Sequence, residues 1–558
     1  MVAVDYVIVA VFLVGIFAAG VYFYKWVGDA DDFYVAGRKL TPFILAATLT
    51  ATNVNLYSFV GQAGKAYKNG ASILWHTWTG NMAMVIAGLF VMPVFRRLRI
   101  RTIPEFMEDR YGVSARVIVG LLWFLRLTFW LGVVVYTAVI AATTLTGITG
   151  VGVLGIKIGG FTFWALVFSA VTVAYTVLGG MWSVALTDVL QFVIMMAGAL
   201  VVLPLVMSRV GWWPGLVEKL PAEHMKLVTA TGDFNWVFTL AIFLLGIQWA
   251  CTDQGLLQRA FSAKNTKTVA KGMILAGIIT TPFALLWNLP GLAAAVLHPG
   301  LENADTAIPT VLASILPAGL MGLIVCGFLA SQMSTIDSNL SASATLFVND
   351  VWGRLKGEEP SSAQTLRVVR WVTLLAGVFM ILFSYWVTKF EGAVNAYLTV
   401  ISIMDMPLFV VAVLLGMFWK RANLTGALVG YFAGAVAGAY VNFGTGLGFN
   451  VATFVSAGAA FVACIAASYL SRRSDESKIE SVWKAKHTSQ EEIDAKDVYH
   501  IWPRSAGGRF SMLVLFAGLA VFLAGTVTGK WDWEYASVTA VVGMVIFFLA
   551  GLVRLAFD

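Results

Sequence analysis

The stretch Ala330-Ser331-Gln332-Met333-Ser334-Thr335-Ile336-Asp337-Ser338-Asn339-Leu340-Ser341 lies inside a long apolar run. Helical spacing puts Ser331, Ser334, Thr335 and Ser338 on one face, with Asp337 on its flank. Hydroxyls, carbonyls and a carboxylate are hard oxygen donors, the set that suits an alkali cation. Close packing of small residues would explain the hydroxyls, but not Asp337. An earlier run, Ala46-Ala47-Thr48-Leu49-Thr50-Ala51-Thr52-Asn53-Val54-Asn55, is poor helix material at its centre and is closed by Gly61. Unwinding there would free backbone carbonyls to ligate a cation; a kinked packing helix is the alternative. Asp188 follows Gly179-Gly180 at the head of another apolar run, where it either meets a cation or caps a helix. Gly246 with Gln248 suggests a second break, and Asp253 with Arg259 a structural pair at the inner interface. Arg126 lies deep in an apolar run with no partner evident from sequence.

Such groups are costly at membrane depth unless they face a cavity or a partner, and composition places them at that depth. Of 558 residues, 59% are hydrophobic and 12% charged, with a mean hydropathy of +0.82. Soluble domains carry about 25% charged residues. A cytosolic enzyme, a disulfide scaffold and a nucleic-acid-binding domain are excluded. Cys251, Cys326 and Cys464 all fall in apolar runs and fit neither zinc nor a disulfide framework. Only His76 of the five histidines lies at membrane depth, and no metal-binding or nucleophile motif surrounds it.

At about 20 apolar residues per crossing, the chain reads as all-α and polytopic with about fifteen spans. These are 3–24, 43–62, 73–95, 117–145, 161–178, 183–207, 235–254, 270–297, 318–347, 366–388, 393–418, 424–442, 449–470, 510–527 and 536–556. The first is no cleaved signal peptide: it carries Asp5 and lacks a basic start. With the N-terminus outside, inner loops hold roughly 27 Lys and Arg against about 8 outside. Lys25, Arg38 and Lys39 form the first inner group, and the C-terminus falls in the cytoplasm. The net charge of +7 is therefore topology rather than a partner-binding patch. Residues 471–509, Lys496 included, read as a solvated linker or short surface helix, with a regulatory contact as the alternative. The organisation expected is a peripheral span and inner loop (1–42), five spans (43–207), an outer loop (208–233), five inverted spans (234–418) and a peripheral remainder (419–558). Odd-numbered blocks with broken first helices are common in secondary transporters.

Five collinear blocks over roughly 40–425 resemble the sodium/solute symporter family, whose best-known members are the sodium/glucose cotransporters. They are Thr102-Ile103-Pro104-Glu105-Phe106 with Arg110-Tyr111-Gly112; Gly179-Gly180 through Thr187-Asp188 and Gln191; Cys251-Thr252-Asp253-Gln254 with Gln258-Arg259 and Ala263-Lys264-Asn265; the hydroxyl run above; and Phe418-Trp419-Lys420-Arg421 with Gly426-Ala427. The resemblance implies the leucine-transporter fold: ten core helices in two inverted repeats plus peripheral spans. It implies a sodium site made by carbonyls of Ala51, Val54 and Ser331 with hydroxyls of Ser334 and Thr335. It also implies a second cation site at Asp188, Ser334, Asp337 and Ser338, for sodium or a proton; Asp337 stands where members commonly have a neutral residue. For the solute it points to Asn53, Ser58, Thr77, Trp78, Gly246, Trp249, Thr280 and Thr399. Only Asn53, Trp78 and the gating aromatic Trp249 keep the sugar carriers' pattern.

The reading is a sodium-coupled symporter in the cell membrane, not an enzyme, importing a sugar, polyol or sugar derivative by alternating access. The alternatives are a small carboxylate or amino acid, a proton-coupled carrier and, more distantly, a channel or sensory module. Its partners are the solute, the sodium ion and the lipid bilayer, with no nucleic acid and no obligate protein partner.

Overall fold

The computed structural model describes residues 1–23, 40–153, 156–356, 362–494 and 499–557; the side chains of Ala51, Thr52 and 177–192 are among those outside the description. Lys25, Arg38, Lys39 and Lys496 of the expected inner segments therefore lie outside the described residues. So does the side chain of Asp188.

Eleven helices among the described residues are long and apolar enough to cross a bilayer, twelve if the bent pair Trp236–Thr252 and Gln254–Phe261 is one span. With the bent pair counted, three of the fifteen expected segments are still not among them. Segment 3–24 contributes the shorter apolar helix Ala3–Gly15. Segment 43–62 is cut in two, as described below. Segments 161–178 and 183–207 are continuous in one helix, Gly160–Val210. Glycine costs a helix only about 1 kcal/mol relative to alanine, so Gly179-Gly180 does not by itself end one. Among the described residues, the all-α expectation is broken by an antiparallel hairpin pairing Gly150–Val153 with Ile156–Gly159 and by an isolated parallel bridge between Leu40 and Ala263.

Several of the distinctive sequence blocks are helix ends. Thr102 caps Ile103–Tyr111 by accepting the Glu105 N–H (3.1 Å), and Glu105 reaches back to the Arg101 N–H (2.6 Å). Two orphan donors are thus satisfied at one terminus. The last turn of the same helix supplies Arg110, fully buried, which donates to the carbonyls of Gly416 (2.9 Å), Trp419 (3.2 Å) and Lys420 (3.3 Å). A cation thereby sits on the exposed carbonyls where Ala393–Met417 ends.

Helix Leu320–Leu346 packs against Val113–Thr146, Gly160–Val210 and Ala3–Phe23. Helix Pro42–Asn53 lies along Thr266–Thr280, and Trp236–Thr252 along Leu74–Ile86. The last two helices, Ala506–Thr528 and Ala536–Phe557, form a hairpin fastened to the outside of this core. The 471–509 segment is less solvated than its charges suggested. Ile479, Val482 and Tyr499 are buried, and Arg97 holds the segment through Glu492 (3.1 Å) and the Tyr499 carbonyl (2.6 Å).

The terminal hairpin is set by small residues. A Cβ added to Gly543 would come within 2.1 Å of the Phe522 backbone nitrogen, a packing common in membrane helix pairs. Gly543→Val should cost about 1–3 kcal/mol by overpacking. The expected outcome is a lower melting temperature in detergent, whereas Val542→Ala at a partly exposed position should leave it unchanged.

Candidate functional site

Thr41 starts the second expected span by accepting the Ile44 N–H (3.4 Å), with Pro42 in the first turn. The helix runs Pro42–Asn53 and stops at Val54, whose backbone is extended (φ −99°, ψ 109°). Asn55 bridges the gap, and helix resumes from Leu56 through a π-turn at Ser58–Gln62. The final carbonyls of a helix have no partner within it, so the break presents oxygens at Ala51 to Val54. That is the break expected from the sequence. Ala51 is in the last turn and Val54, almost fully buried, is at the break itself.

On Leu320–Leu346 the hydroxyl stripe faces inward. Ser331, Ser334, Thr335 and Ser338 are all buried and Asp337 is fully so. Thr335 Oγ1 donates to the Ser331 carbonyl (3.0 Å), which holds two of the expected ligand oxygens side by side. Ser331 Oγ has no hydrogen-bond partner among the described residues. A hard cation bound by carbonyls and hydroxyls fits this donor set. Ser338 Oγ donates to Asp337 Oδ1 (3.4 Å) and accepts from Arg259 (3.0 Å). The same guanidinium donates to Thr48 Oγ1 (3.2 Å). Arg259 therefore clips the broken helix to the hydroxyl helix.

The second break is not at Gly246. That glycine packs against Gly80, where an added Cβ would meet the Gly80 backbone at 3.2 Å, and the helix continues past it. The bend, 46°, falls at Asp253. Asp253 Oδ1 caps Gln254–Phe261 by accepting the Leu256 N–H (3.1 Å). Its other oxygen meets Arg126 (3.2 Å) rather than serving the interface pair expected with Arg259. Arg126 also meets Asp405 (2.8 Å). The buried arginine without an evident partner thus has two carboxylates, one from each side of the second block.

A cavity of about 970 Å³, including its mouth, opens between these elements. Six of the eight expected solute residues line it: Asn53, Ser58, Thr77, Gly246, Trp249 and Thr280. Two do not. Trp78 turns its indole N–H to the Thr281 carbonyl (3.1 Å), and Thr399 is buried in its own helix outside the lining. Thr335, one of the residues expected to bind the cation, also lines the cavity. Sequence reasoning missed several lining groups. Gln62 accepts from Thr77 Oγ1 (2.8 Å) and Trp287 (3.1 Å); Tyr57 pairs with His76 (3.1 Å) and packs edge to face on Trp130 and Tyr397. Their signal, polar and aromatic residues in apolar runs, was present but diffuse. Beside the cavity, on the connection before Ala307–Ile315, Asp305 accepts the Ala393 N–H (2.9 Å); burial raises its carboxyl to about 6.

The family model of the sodium:solute symporter family matches residues 33–434. The chain belongs to that family. It is 27% identical over 485 residues to sodium/glucose cotransporter 4 of Danio rerio, covering 78% of this chain and 71% of the relative. It is 24% identical to the sodium/sialic acid symporter of Proteus mirabilis, over 80% and 91% of the two chains. Among solved structures, a substrate-bound, outward-open Na+-coupled sialic acid symporter superimposes with a TM-score of 0.74 at 23% identity, covering 85% of this chain and 99% of that one. Mhp1 facing inward gives 0.52 at 15% identity, over 77% and 90%. These neighbours have the leucine-transporter fold. The symporter is thus a multi-pass membrane protein coupled to sodium, and a transporter rather than an enzyme.

Removing Arg126 would leave the fully buried Asp405 and the partly buried Asp253 without their shared cation. Breaking a buried pair this way costs about 3–5 kcal/mol, so Arg126→Leu should give poor yield and a strongly lowered melting temperature. Adding Asp405→Leu and Asp253→Asn should restore part of the loss.

Proposed function

We propose that this symporter imports a neutral polyhydroxylated solute, a sugar, polyol or sugar derivative, together with sodium by alternating access. The lining of the cavity carries the reading. Amides of Asn53, Gln62 and Asn81 and hydroxyls of Ser58, Thr77 and Thr280 can each donate and accept. The sole charged residue of the lining among the described residues is Asp253, already paired with Arg126. No free cation there would hold a carboxylate, which disfavours the small acid or amino acid. The rings of Trp249, Trp130 and Tyr397 offer apolar faces against which a sugar ring can pack.

Sodium binds between the carbonyls of Ala51, Val54 and Ser331 and the hydroxyls of Ser334 and Thr335. It neutralises the open end of the broken helix and ties it to the hydroxyl helix, which favours the state open to the outside. Thr335 touches both ion and solute, so each ligand stabilises the geometry the other needs, and the coupling is reciprocal. Inward movement of each sodium gains about 2.3 kcal/mol per 100 mV of membrane potential. For the second cation site at Asp188, Ser334, Asp337 and Ser338, the Ser338 hydroxyl is already shared between Arg259 and Asp337. We therefore assign coupling to the first site.

The same reading places the N-terminus outside and the C-terminus in the cytoplasm, with 43–207 and 234–418 as inverted repeats. The breaks at Val54–Asn55 and Asp253, each in the first helix of its block, support that division.

In proteoliposomes, Ser334→Ala should lower sodium-dependent sugar or polyol uptake by tenfold or more, about 1.4 kcal/mol of sodium affinity, without lowering the melting temperature. Undiminished uptake contradicts the ion assignment. Thr335→Ala should weaken sodium and solute binding together. Uptake across a panel of labelled sugars, polyols and acids identifies the solute, and selective uptake of acids contradicts the neutral-solute reading.

A further inference from the structure

Beneath the cavity, one guanidinium serves two carboxylates. Arg126 Nε and one terminal nitrogen both reach Asp405 Oδ2 (2.8 Å each), and the other terminal nitrogen reaches Asp253 Oδ2 (3.2 Å). With all three groups ionised, the cluster carries one negative charge, in a place where Asp405 and Gln248 are fully buried. Asp253 is partly exposed to the cavity, so the share of that excess that burial penalises is the one held at Asp405.

Two oxygens in this cluster are also orphaned. Asp405 Oδ1 and Gln248 Oε1 have no hydrogen-bond partner among the described residues. They belong to groups in contact, because Gln248 Nε2 donates to Asp405 Oδ2 (3.4 Å) and to Thr252 Oγ1 (2.8 Å). Turning the amide over does not help: its oxygen would then face the Asp405 carboxylate.

We propose that Asp405 and Gln248 form a proton-binding site linked to solute binding. A proton on Asp405 Oδ1 removes the excess charge, turns the orphan oxygen into a donor, and gives the Gln248 carbonyl the partner it lacks. Sodium does less well, because it needs several oxygens and would lie beside the guanidinium. The charged and titratable groups around Asp405 are Arg126 of Val113–Thr146, Asp253 at the end of Trp236–Thr252, Tyr397 of its own helix and Tyr431 of Leu424–Ala439. Linkage to the solute runs through Asp253, which lines the cavity and shares Arg126 with Asp405. When Asp405 is protonated, Arg126 is left to Asp253. This linkage rests on the symport reading; the proton site rests on the cluster alone.

Infrared titration of the full-length protein in lipid nanodiscs, in sodium buffer without solute, tests the site. Beyond the band expected from Asp305, wild type should show a second carboxylic-acid C=O band that disappears as the buffer becomes alkaline. Asp405→Asn should lack it. Asp253→Asn should lack it too, since the cluster is then neutral with Asp405 ionised. Gln248→Met should keep the band at a shifted frequency, which decides the matter if Asp405→Asn fails to fold. A wild type without the second band, survival of that second band in Asp405→Asn, or its failure to move in Gln248→Met overturns the site. Solute affinity in wild type should change about fivefold or more across the same titration and be flat in Asp405→Asn. A band present with pH-independent solute affinity overturns the linkage. A band present with no sodium-dependent uptake of any solute refutes symport and leaves the site standing.

Discussion

A helix cannot stop in hydrocarbon without replacing the hydrogen bonds it gives up. No water is available there, and each unsatisfied backbone group costs several kcal/mol. The interruption at Val54–Asn55 is therefore the constraint around which the rest is arranged. Its neighbours are polar where lipid-facing helices would be apolar. Thr280 reaches Thr50 (3.2 Å), Arg259 reaches Thr48, and the hydroxyl helix turns Ser331, Ser334 and Thr335 inward. An ion that supplies charge to the open carbonyls gains most where water is scarce, and only a conformation that brings both helices together can offer it.

Buried charge follows the same logic. Arg116 is shared by Asp350 (2.6 Å) and Glu108 (2.6 Å), Arg126 by Asp405 and Asp253, and Arg259 by hydroxyls of two helices. Each arginine joins segments distant in sequence. Such pairs add little net stability over apolar packing, but losing one partner is costly. They fix which helices can lie together, and thus hold the cavity residues in place.

Much of this was legible in the sequence because the membrane makes polar residues conspicuous. The first break and the inward stripe of hydroxyls follow from Thr, Asn and Ser standing where Leu would be cheaper; six of the cavity residues came from the family resemblance. What escaped reading depends on the third dimension. Gly246 looked like a breaker but is a contact point for Gly80; the bend needs a cap, which Asp253 supplies. Arg126 had no visible partner because its two carboxylates lie far along the chain. Thr399 and Trp78 carry side chains of the right kind, but rotation about their helices takes them out of the cavity. The 471–509 segment has the charge of a solvated linker, yet a few apolar side chains and Arg97 dock it. Counting spans by apolar length could not show that Gly179-Gly180 leaves its helix intact.

The most direct examination is an experimental structure of the purified protein in sodium, compared with one in a large organic cation, at a resolution that shows ion coordination. The account predicts sodium-dependent density within coordinating distance of the Ala51 and Val54 carbonyls and the Ser334 and Thr335 hydroxyls. Density for sodium elsewhere, with Ser334 and the broken helix end apart in both conditions, would contradict it.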